Sequence, residues 1–285
     1  MQKRKILVTG ASGYIASQLL PAFRGRYELT LLDVKETDPK GNKIPGVKIA
    51  DLGAPDYEKY QEYFKGIDTT VHLGYYWEPG ESGEKLPFRL RNYQHERVNV
   101  DMAYNVYKLS HGAGVRRVVV ASSNHAADWY EYLIHQGLMD MVYPDTYPLS
   151  DNFYGWAKAT YEHIGFIFAT GYFGRKLEMV QLRIGAPREI DYRNFLDNPN
   201  VYKRDLGAYI SQRDMQQLFI KSIETENIEN EHGIPFQIFY GISDNARKFW
   251  SIANARKVIA YTPADDSEVK YAGDIARFLM GGKLE

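Results

Sequence analysis

An apolar run, a glycine-containing turn and a helical pattern follow one another at the start of this chain. Lys5–Thr9 is compact and apolar, and residues 9–16 read Thr-Gly-Ala-Ser-Gly-Tyr-Ile-Ala. Residues 14–23 then carry apolar side chains at helical spacing. A buried strand that turns sharply through glycine into a helix is the first half of a βαβ unit. The feature therefore favours α/β folds with parallel strands.

The same alternation continues along the chain. Further strands are predicted at residues 27–32, 47–50, 69–73, 117–121 and 177–184, and helices at residues 56–65, 92–112 and 154–172. Strands that alternate with helices form right-handed crossovers, which cover both faces of a parallel sheet. The predicted fold class is α/β, a Rossmann-type doubly wound parallel sheet with a small carboxyl-terminal substrate lobe. We expect a nucleotide-binding domain over residues 1–185 and the lobe, partly interleaved with the core, over residues 186–285.

Composition narrows the classes of function. The 35 Lys+Arg residues nearly balance the 36 Asp+Glu residues, so an electrostatic nucleic-acid binder is not expected. The absence of cysteine excludes disulfides and thiolate chemistry. No stretch approaches the roughly 18 apolar residues of a membrane span, and the first apolar run is too short for a signal peptide. We therefore expect a cytoplasmic protein, and no His or carboxylate spacing predicts a metal site.

Three segments interrupt the alternation at residues 78–94, 129–151 and 187–207. Each is longer than most connections in a compact domain. In an open α/β sheet, such loops gather at the carboxyl ends of the strands, where ligands bind. They are therefore interpreted either as loops that line a site or as surface insertions.

The glycine turn indicates a dinucleotide site. Gly10 permits the tight turn, and Gly13 lets the backbone approach a pyrophosphate held by free amides at the helix N-terminus. Ser12, Tyr14 and Ile15 belong to the same predicted contact surface. The strand before, the helix after and the position near the start of the chain give the pattern its weight.

Acidic residues after the next two strands extend this prediction. Asp33 follows the second strand at the spacing of a carboxylate that binds the adenosine ribose hydroxyls. Its charge would repel a 2′-phosphate, so NAD is favoured over NADP. The alternative interpretation of Asp33 is a solvated turn residue. Asp51 and Leu52 are predicted to flank the adenine.

Tyr154 and Lys158 lie four residues apart on a predicted helix and project from one face. A nearby ammonium is expected to lower the pKa of the phenol, so that Tyr154 can accept a hydroxyl proton. Lys158 is also expected to hold the nicotinamide ribose. Tyr104 and Lys108 show the same spacing, which makes it weak alone. Its weight comes from Ser123, which ends the preceding strand and can bond the reacting oxygen.

These motifs together carry a resemblance. They are Thr9-Gly-Ala-Ser-Gly13, Asp33, Asp51-Leu52, His72-Leu73-Gly74, Asn99-Val100, Ser122-Ser123 and Tyr154-Gly-Trp-Ala-Lys158. The chain resembles the extended short-chain dehydrogenase/reductases over essentially its whole length. Through Ala121-Ser-Ser-Asn-His125, Leu182-Arg-Ile-Gly185, Gln212-Arg-Asp214 and Phe239-Tyr-Gly-Ile-Ser-Asp-Asn245, it most resembles the uronate dehydrogenases and the archaeal NAD-dependent glucose-6-phosphate dehydrogenases.

The resemblance implies roles for further residues. Ser123, Tyr154 and Lys158 would form the catalytic triad. Leu73, Gly74, Asn99 and Ser122 would join the NAD site, while Asn124 and Arg193 would bind substrate. A homodimer through a four-helix interface, built by residues 92–112 and 154–172, is also implied.

Some residues keep two interpretations. His125 is either a substrate ligand or a histidine held by the backbone, and Tyr75 is either part of an aromatic wall for a sugar or loop packing. Arg188, Arg193, Lys203 and Arg204 either bind an anionic group or form a solvated loop.

The favoured hypothesis is NAD-dependent oxidation of the C1 hydroxyl of a cyclic aldose to a lactone. The sugar would be anionic: a uronate, a hexose 6-phosphate or a sulfonated sugar. Two alternatives are a nucleotide-sugar epimerase or dehydratase with tightly bound NAD, and a non-catalytic NAD-binding sensor.

Overall fold

The computed structural model of the chain describes residues 3–77 and 90–279. Its strands are β1 Lys5–Thr9, β2 Glu28–Asp33, β3 Val47–Ile49, β4 Thr69–His72, β5 Arg117–Ser123, β6 Glu178–Ile184 and β7 Phe236–Gly241. Within the described residues they form one parallel sheet in the order β3-β2-β1-β4-β5-β6-β7. The predicted doubly wound sheet is confirmed. Because the chain order reverses between β1 and β4, a crevice is expected at their carboxyl ends.

Helices cover both faces of the sheet. They are α1 Tyr14–Arg26, α2 Tyr93–Gly112, α3 Trp129–His135, α4 Phe153–Ala169, α5 Pro199–Ala208, α6 Gln212–Glu224, α7 Ala253–Ile259, α8 Ser267–Lys270 and α9 Ala272–Leu279. Side chains alternate along each strand, so Val119 packs into one core layer with α1 and α6. Val118 and Val120 pack into the opposite layer with α2 and α4. The central strands β1, β4, β5 and β6 are buried on both faces, which explains the continuous apolar runs in the sequence.

The structure departs from the predictions in three places. Residues 56–65 form two 3₁₀ turns, Tyr57–Lys59 and Gln61–Phe64, instead of one α-helix. The buried Tyr60 separates them, because its hydroxyl donates to the carbonyl oxygen of Ala54 at 2.5 Å and fixes the chain there. The interruptions at residues 129–151 and 187–207 contain α3 and α5. Of the interruption at residues 78–94, residues 78–89 lie outside the described part.

The carboxyl-terminal region is not separate from the sheet. It contributes β7, which pairs with β6 from Met179↔Phe236 to Ile184↔Gly241. The lobe also has its own apolar cluster around Tyr240 and Trp250. The division near residue 185 therefore stays a prediction, with a sheet shared across it.

In residues 3–77 and 90–279, no helix has both the length and the apolar character needed to cross a membrane.

Candidate active site

The glycine turn lies at the crevice between β1 and β4. Gly10 has a φ of +70°, and a Cβ built on it would lie 2.6 Å from the backbone nitrogen of Gly74. Only glycine fits this contact, because both the left-handed backbone and the neighbouring chain exclude a side chain. Gly13 then caps α1 without any side-chain hydrogen bond, which leaves the first amides of the helix open to a ligand. The Ser12 hydroxyl is buried without a hydrogen-bond partner among the described residues.

Asp33 lies beside this turn, as the sequence predicts. Its carboxylate accepts hydrogen bonds from the backbone nitrogens of Ser12 at 2.9 Å and Val34 at 2.7 Å. An unpartnered buried hydroxyl, open amides and a carboxylate at the end of β2 fit a dinucleotide with a pyrophosphate and a ribose diol.

The other predicted cofactor residues occupy varied surroundings. Asp51 is exposed and accepts from the backbone of Gly53, whereas Leu52 is packed in the core. Ile15 and Leu73 pack partly against the core beneath the turn, and the Tyr14 hydroxyl donates to the carbonyl oxygen of Pro187. Their contacts with a cofactor stay predictions.

Ser123 and Tyr154 meet at the end of β5. A hydrogen bond joins their side chains and lowers the pKa of the phenol, although burial raises it to about 12. Helix α4 delivers Tyr154 to this place because Gly155 has no side chain. A Cβ there would lie 2.0 Å from the carbonyl oxygen of His125, in the 3₁₀ turn Asn124–Ala127 that follows β5. The predicted convergence of these two elements is therefore seen, and it depends on a glycine.

Lys158 is buried one helical turn beyond Tyr154. Its ammonium donates to the carbonyl oxygen of Ala121 at 3.0 Å. Its Nζ atom lies 4.9 Å from the ring centres of Tyr75 and Tyr161 and 5.6 Å from that of Tyr154. Burial lowers the pKa of Lys158 to about 8. Burial dominates the pKa of Tyr154 in this arrangement, and the expectation that Lys158 lowers this pKa stays a prediction.

Arg183 and Glu162 form a buried ion pair near Lys158. Arg183 on β6 binds both carboxylate oxygens of Glu162, at 2.9 and 2.7 Å. The hydroxyl of Ser122 donates to the same carboxylate at 2.9 Å. The side chain of Ser122 therefore holds Glu162, and a contact between Ser122 and a cofactor stays a prediction.

Tyr75 connects the segment after β4 to Tyr154. Its ring contacts that of Tyr154 edge-to-face at 5.5 Å, and its hydroxyl donates to Glu96 at 2.5 Å. Glu96 also forms a fully buried ion pair with Arg91. Asn99 accepts from the backbone nitrogen of Tyr76 at 2.6 Å and donates to its carbonyl oxygen at 3.1 Å. The amide of Asn99 thus holds this segment, and its predicted cofactor contact stays a prediction.

Asn124 and His125 follow Ser123 directly. Asn124 is buried, and its amide nitrogen has no hydrogen-bond partner among the described residues. The Nδ1 atom of His125 lies 2.9 Å from a carboxylate oxygen of Asp128, and the imidazole contacts the Tyr154 ring at 5.5 Å. Asp128 therefore holds the imidazole of His125 beside Tyr154, and its role as a substrate ligand stays a prediction.

The predicted basic loop is largely neutralised by carboxylates. Arg193 is exposed and pairs with Asp191 at 2.6 Å. Arg204 is nearly buried and pairs with Glu131 and Asp205, and Arg188 pairs with Asp205 as well. These three arginines therefore already pair with carboxylates, and binding of an anionic group by any of them stays a prediction.

Sequence reasoning missed Arg91, Glu96, Asp128 and Glu162. Glu162 had a readable signal, because residues 154, 158 and 162 follow one face of a helix at intervals of four. Arg91 and Glu96 had none, because their positions before and within a polar helix resemble an ordinary solvated surface.

Comparison with known proteins agrees with this geometry. The model of the NAD dependent epimerase/dehydratase family matches residues 6–184. The chain is 29% identical over 288 residues to the NAD-dependent glucose-6-phosphate dehydrogenase of Haloferax volcanii, covering 94% of this chain and 97% of that protein. It is 28% identical over 267 residues to a uronate dehydrogenase of Pseudomonas syringae, covering 93% of this chain and 83% of the relative.

A solved structure shares the fold. The crystal structure of uronate dehydrogenase from Agrobacterium tumefaciens superposes with a TM-score of 0.72 at 22% identity, covering 97% of this chain and 90% of that one. The family match spans most of the sheet, including the glycine turn and the strand and helix that carry Ser123, Tyr154 and Lys158. The chain therefore belongs to the NAD dependent epimerase/dehydratase family, whose cofactor is NAD.

Proposed function

We propose that this protein is an NAD-dependent sugar dehydrogenase that oxidises the C1 hydroxyl of an anionic cyclic aldose to a lactone. The observation that carries the proposal is the hydrogen bond between Ser123 and Tyr154, with the Lys158 ammonium buried beside the phenol ring. Relatives named for oxidising glucose 6-phosphate, uronate and L-arabinose support sugar oxidation in general.

Tyr154 would accept the proton of the C1 hydroxyl, and Ser123 would donate a hydrogen bond to the same oxygen. As the O–H and C1–H bonds break, the C1–O bond becomes the carbonyl of the lactone. NAD supplies the acceptor for the hydride that leaves C1. The positive charge of Lys158 favours the phenolate form of Tyr154 once substrate excludes water from the site.

The residues that would hold NAD are Gly10, Ser12, Gly13 and Asp33. Open amides after the turn suit the pyrophosphate, and the Asp33 carboxylate suits the ribose diol. The unpartnered hydroxyl of Ser12 supports the same assignment, because a buried polar group without a partner is costly.

Asn124, His125 and Tyr75 are the proposed sugar ligands. The amide nitrogen of Asn124 is buried beside Ser123 without a partner among the described residues. Arg193 is the proposed ligand of the anionic group, in which case the substrate would replace Asp191 as its partner. A bidentate guanidinium contact suits a carboxylate or a phosphate.

We also propose a homodimer through α2 and α4. These helices pack against each other and expose Tyr93, Tyr104, Phe153, Phe166 and Ile167. Exposed aromatic side chains on two adjacent helices are typical of a protein interface. Phe166→Glu is expected to convert a dimer to a monomer in sedimentation equilibrium, and an unchanged mass would contradict the four-helix interface.

A substrate panel tests the enzymatic proposal. NAD⁺ is mixed with D-glucuronate, D-galacturonate, glucose 6-phosphate, L-arabinose or D-glucose, and NADH absorbance is recorded. We expect NADH with at least one anionic sugar, a lactone product, and loss of activity in Tyr154→Phe with NAD⁺ binding retained. If no sugar reduces NAD⁺ while tightly held NAD interconverts a nucleotide sugar, the protein is an epimerase instead.

A further inference from the structure

Arg91 and Glu96 form a buried ion pair that contacts Tyr75. Both side chains are fully buried, and the guanidinium also donates to the carbonyl oxygens of Tyr76 and His95, at 3.3 and 3.2 Å. The Arg91 guanidinium lies 5.5 Å from the ring centre of Tyr75. Charges without solvent around them act over longer distances than surface charges do.

Tyr75 connects this ion pair to the catalytic residues Tyr154 and Lys158. The hydroxyl of Tyr75 donates a hydrogen bond to Glu96. Its ring contacts the ring of Tyr154, and the ring centre lies 4.9 Å from the Lys158 ammonium. A rotation of Tyr75 would therefore disturb Tyr154 and Lys158 together.

The surroundings of the Tyr154 phenol are made by several elements. Ser123 bonds it from β5, His125 contacts its ring, and Asp128 lies behind His125. Lys158 faces it from α4 itself. Glu96, at the start of α2, raises the pKa of Tyr154.

Arg91 acts in the opposite direction and lowers the pKa of Tyr154. Asp128 raises it, as Glu96 does. The two members of the buried pair therefore have opposing effects on one phenol.

We propose that Arg91 and Glu96 are positioning residues of the active site, which through Tyr75 orient the Tyr154 ring and set the charge that it experiences. This inference rests on the proposed function, since it assigns Tyr154 as the proton acceptor. It adds a side-chain network outside the Ser123–Tyr154–Lys158 triad, with neither member touching the reacting atoms.

The test measures the pH dependence of kcat/KM for NAD⁺ reduction, with whichever of D-glucuronate and glucose 6-phosphate turns over faster. Activity requires the deprotonated phenol, so a lower pKa moves the acidic limb of the profile to lower pH. Glu96→Gln leaves Arg91 without its anion and is expected to move the limb down by about one pH unit. Arg91→Gln leaves Glu96 without its cation and is expected to move it up. Asp68→Asn, which weakens ion pairs at the opposite end of β4, is the control and should leave the profile unchanged.

A second measurement does not depend on turnover. Tyrosines labelled with ¹³C at Cζ report ionisation by NMR, and the Tyr154 signal is identified by its absence in Tyr154→Phe. Tyr75→Phe, which keeps the ring and frees Glu96, should shift this signal even if the charge variants unfold. Shifts of the pH limb in the same direction for both charge variants, or an unmoved Tyr154 signal in folded Glu96→Gln and Tyr75→Phe, would overturn the inference. Absence of turnover in the unmodified protein would instead count against the proposed function, and the NMR result would still decide the network.

Discussion

The ammonium of Lys158 donates to the carbonyl oxygen of Ala121 at 3.0 Å, so a cation is held inside the sheet-to-helix interface. Burial lowers its pKa from 10.5 to about 8. Between these two values, the unfolded chain takes up a proton that the folded chain does not. The residue therefore destabilises the fold as the pH falls from above 10 to about 8, by about 3 kcal/mol in total.

Replacement of this cation should separate stability from activity. Lys158→Met is expected to melt at a temperature equal to or above that of the unmodified protein at pH 7, and to lose sugar oxidation by at least about 100-fold. Its stability advantage should shrink as the pH rises from 8 to 10.5. Circular dichroism melts over this range measure the effect, with the exposed Lys108→Met as control. A variant less stable at pH 7 would mean that the aromatic contacts of Lys158 outweigh its burial.

The ion pair between Glu162 and Arg183 yields a second prediction. Glu162→Gln leaves a buried guanidinium without its anion and is expected to cost about 3–5 kcal/mol in the free energy of unfolding. Glu162→Leu combined with Arg183→Met removes both charges and should cost clearly less. Ser122→Ala should cost about 1 kcal/mol. Urea unfolding measures all three, and a double variant as unstable as Glu162→Gln would contradict the account.

The glycine turn can be tested against a matched glycine elsewhere. Gly10→Ala requires both a left-handed alanine and a displaced backbone at Leu73 and Gly74, just after β4, so it should destabilise the fold more than Gly41→Ala, which has a φ of +84° but open space. The latter should cost roughly 1–2 kcal/mol.

Gly13→Ala has a different expected result. Its Cβ would meet only the carbonyl oxygen of Gly10 at 3.2 Å, so the fold should change little, whereas NAD⁺ affinity should fall at least about tenfold because a pyrophosphate could approach less closely. Calorimetric titration with NAD⁺ measures this loss. Equal NAD⁺ affinity in Gly13→Ala would refute the assignment of the turn.

Asp33 gives a prediction about cofactor choice. Asp33→Asn keeps the shape of a side chain that accepts from Ser12 but removes the charge that would face a 2′-phosphate. The ratio of kcat/KM with NADP⁺ to that with NAD⁺ is expected to rise at least about tenfold. Asp56→Asn, whose carboxylate pairs with Lys59 at the surface, serves as control. An unchanged ratio would mean that Asp33 only supports the turn.

Much of this architecture could be read from the sequence, for identifiable physical reasons. The bounds of β1 agree with the prediction because a parallel strand buried on both faces must be continuously apolar. The position of Tyr154 beside Ser123 was predictable, since α4 is the long helix that connects the parallel strands β5 and β6.

Other features depend on contacts that no local pattern records. Glu96 lies in a polar stretch and is buried only because Tyr75 and Arg91 surround it. Arg193 was expected to be available to an anion, but a carboxylate two residues earlier occupies it. β7 was also missed; it lies at the edge of the sheet, where Phe236 and Ile238 are only partly buried.

The position of β7 has a consequence for any attempt to dissect the molecule. A fragment that stopped at Ile184 would retain the glycine turn, yet β6 would become the border of the sheet with its peptide groups unpaired. Such a border recruits strands from other molecules, so the fragment should precipitate instead of yielding an autonomous nucleotide-binding unit. The two halves of the chain are in this sense obligatory folding partners, and any exchange of substrate regions between relatives must carry its own last strand.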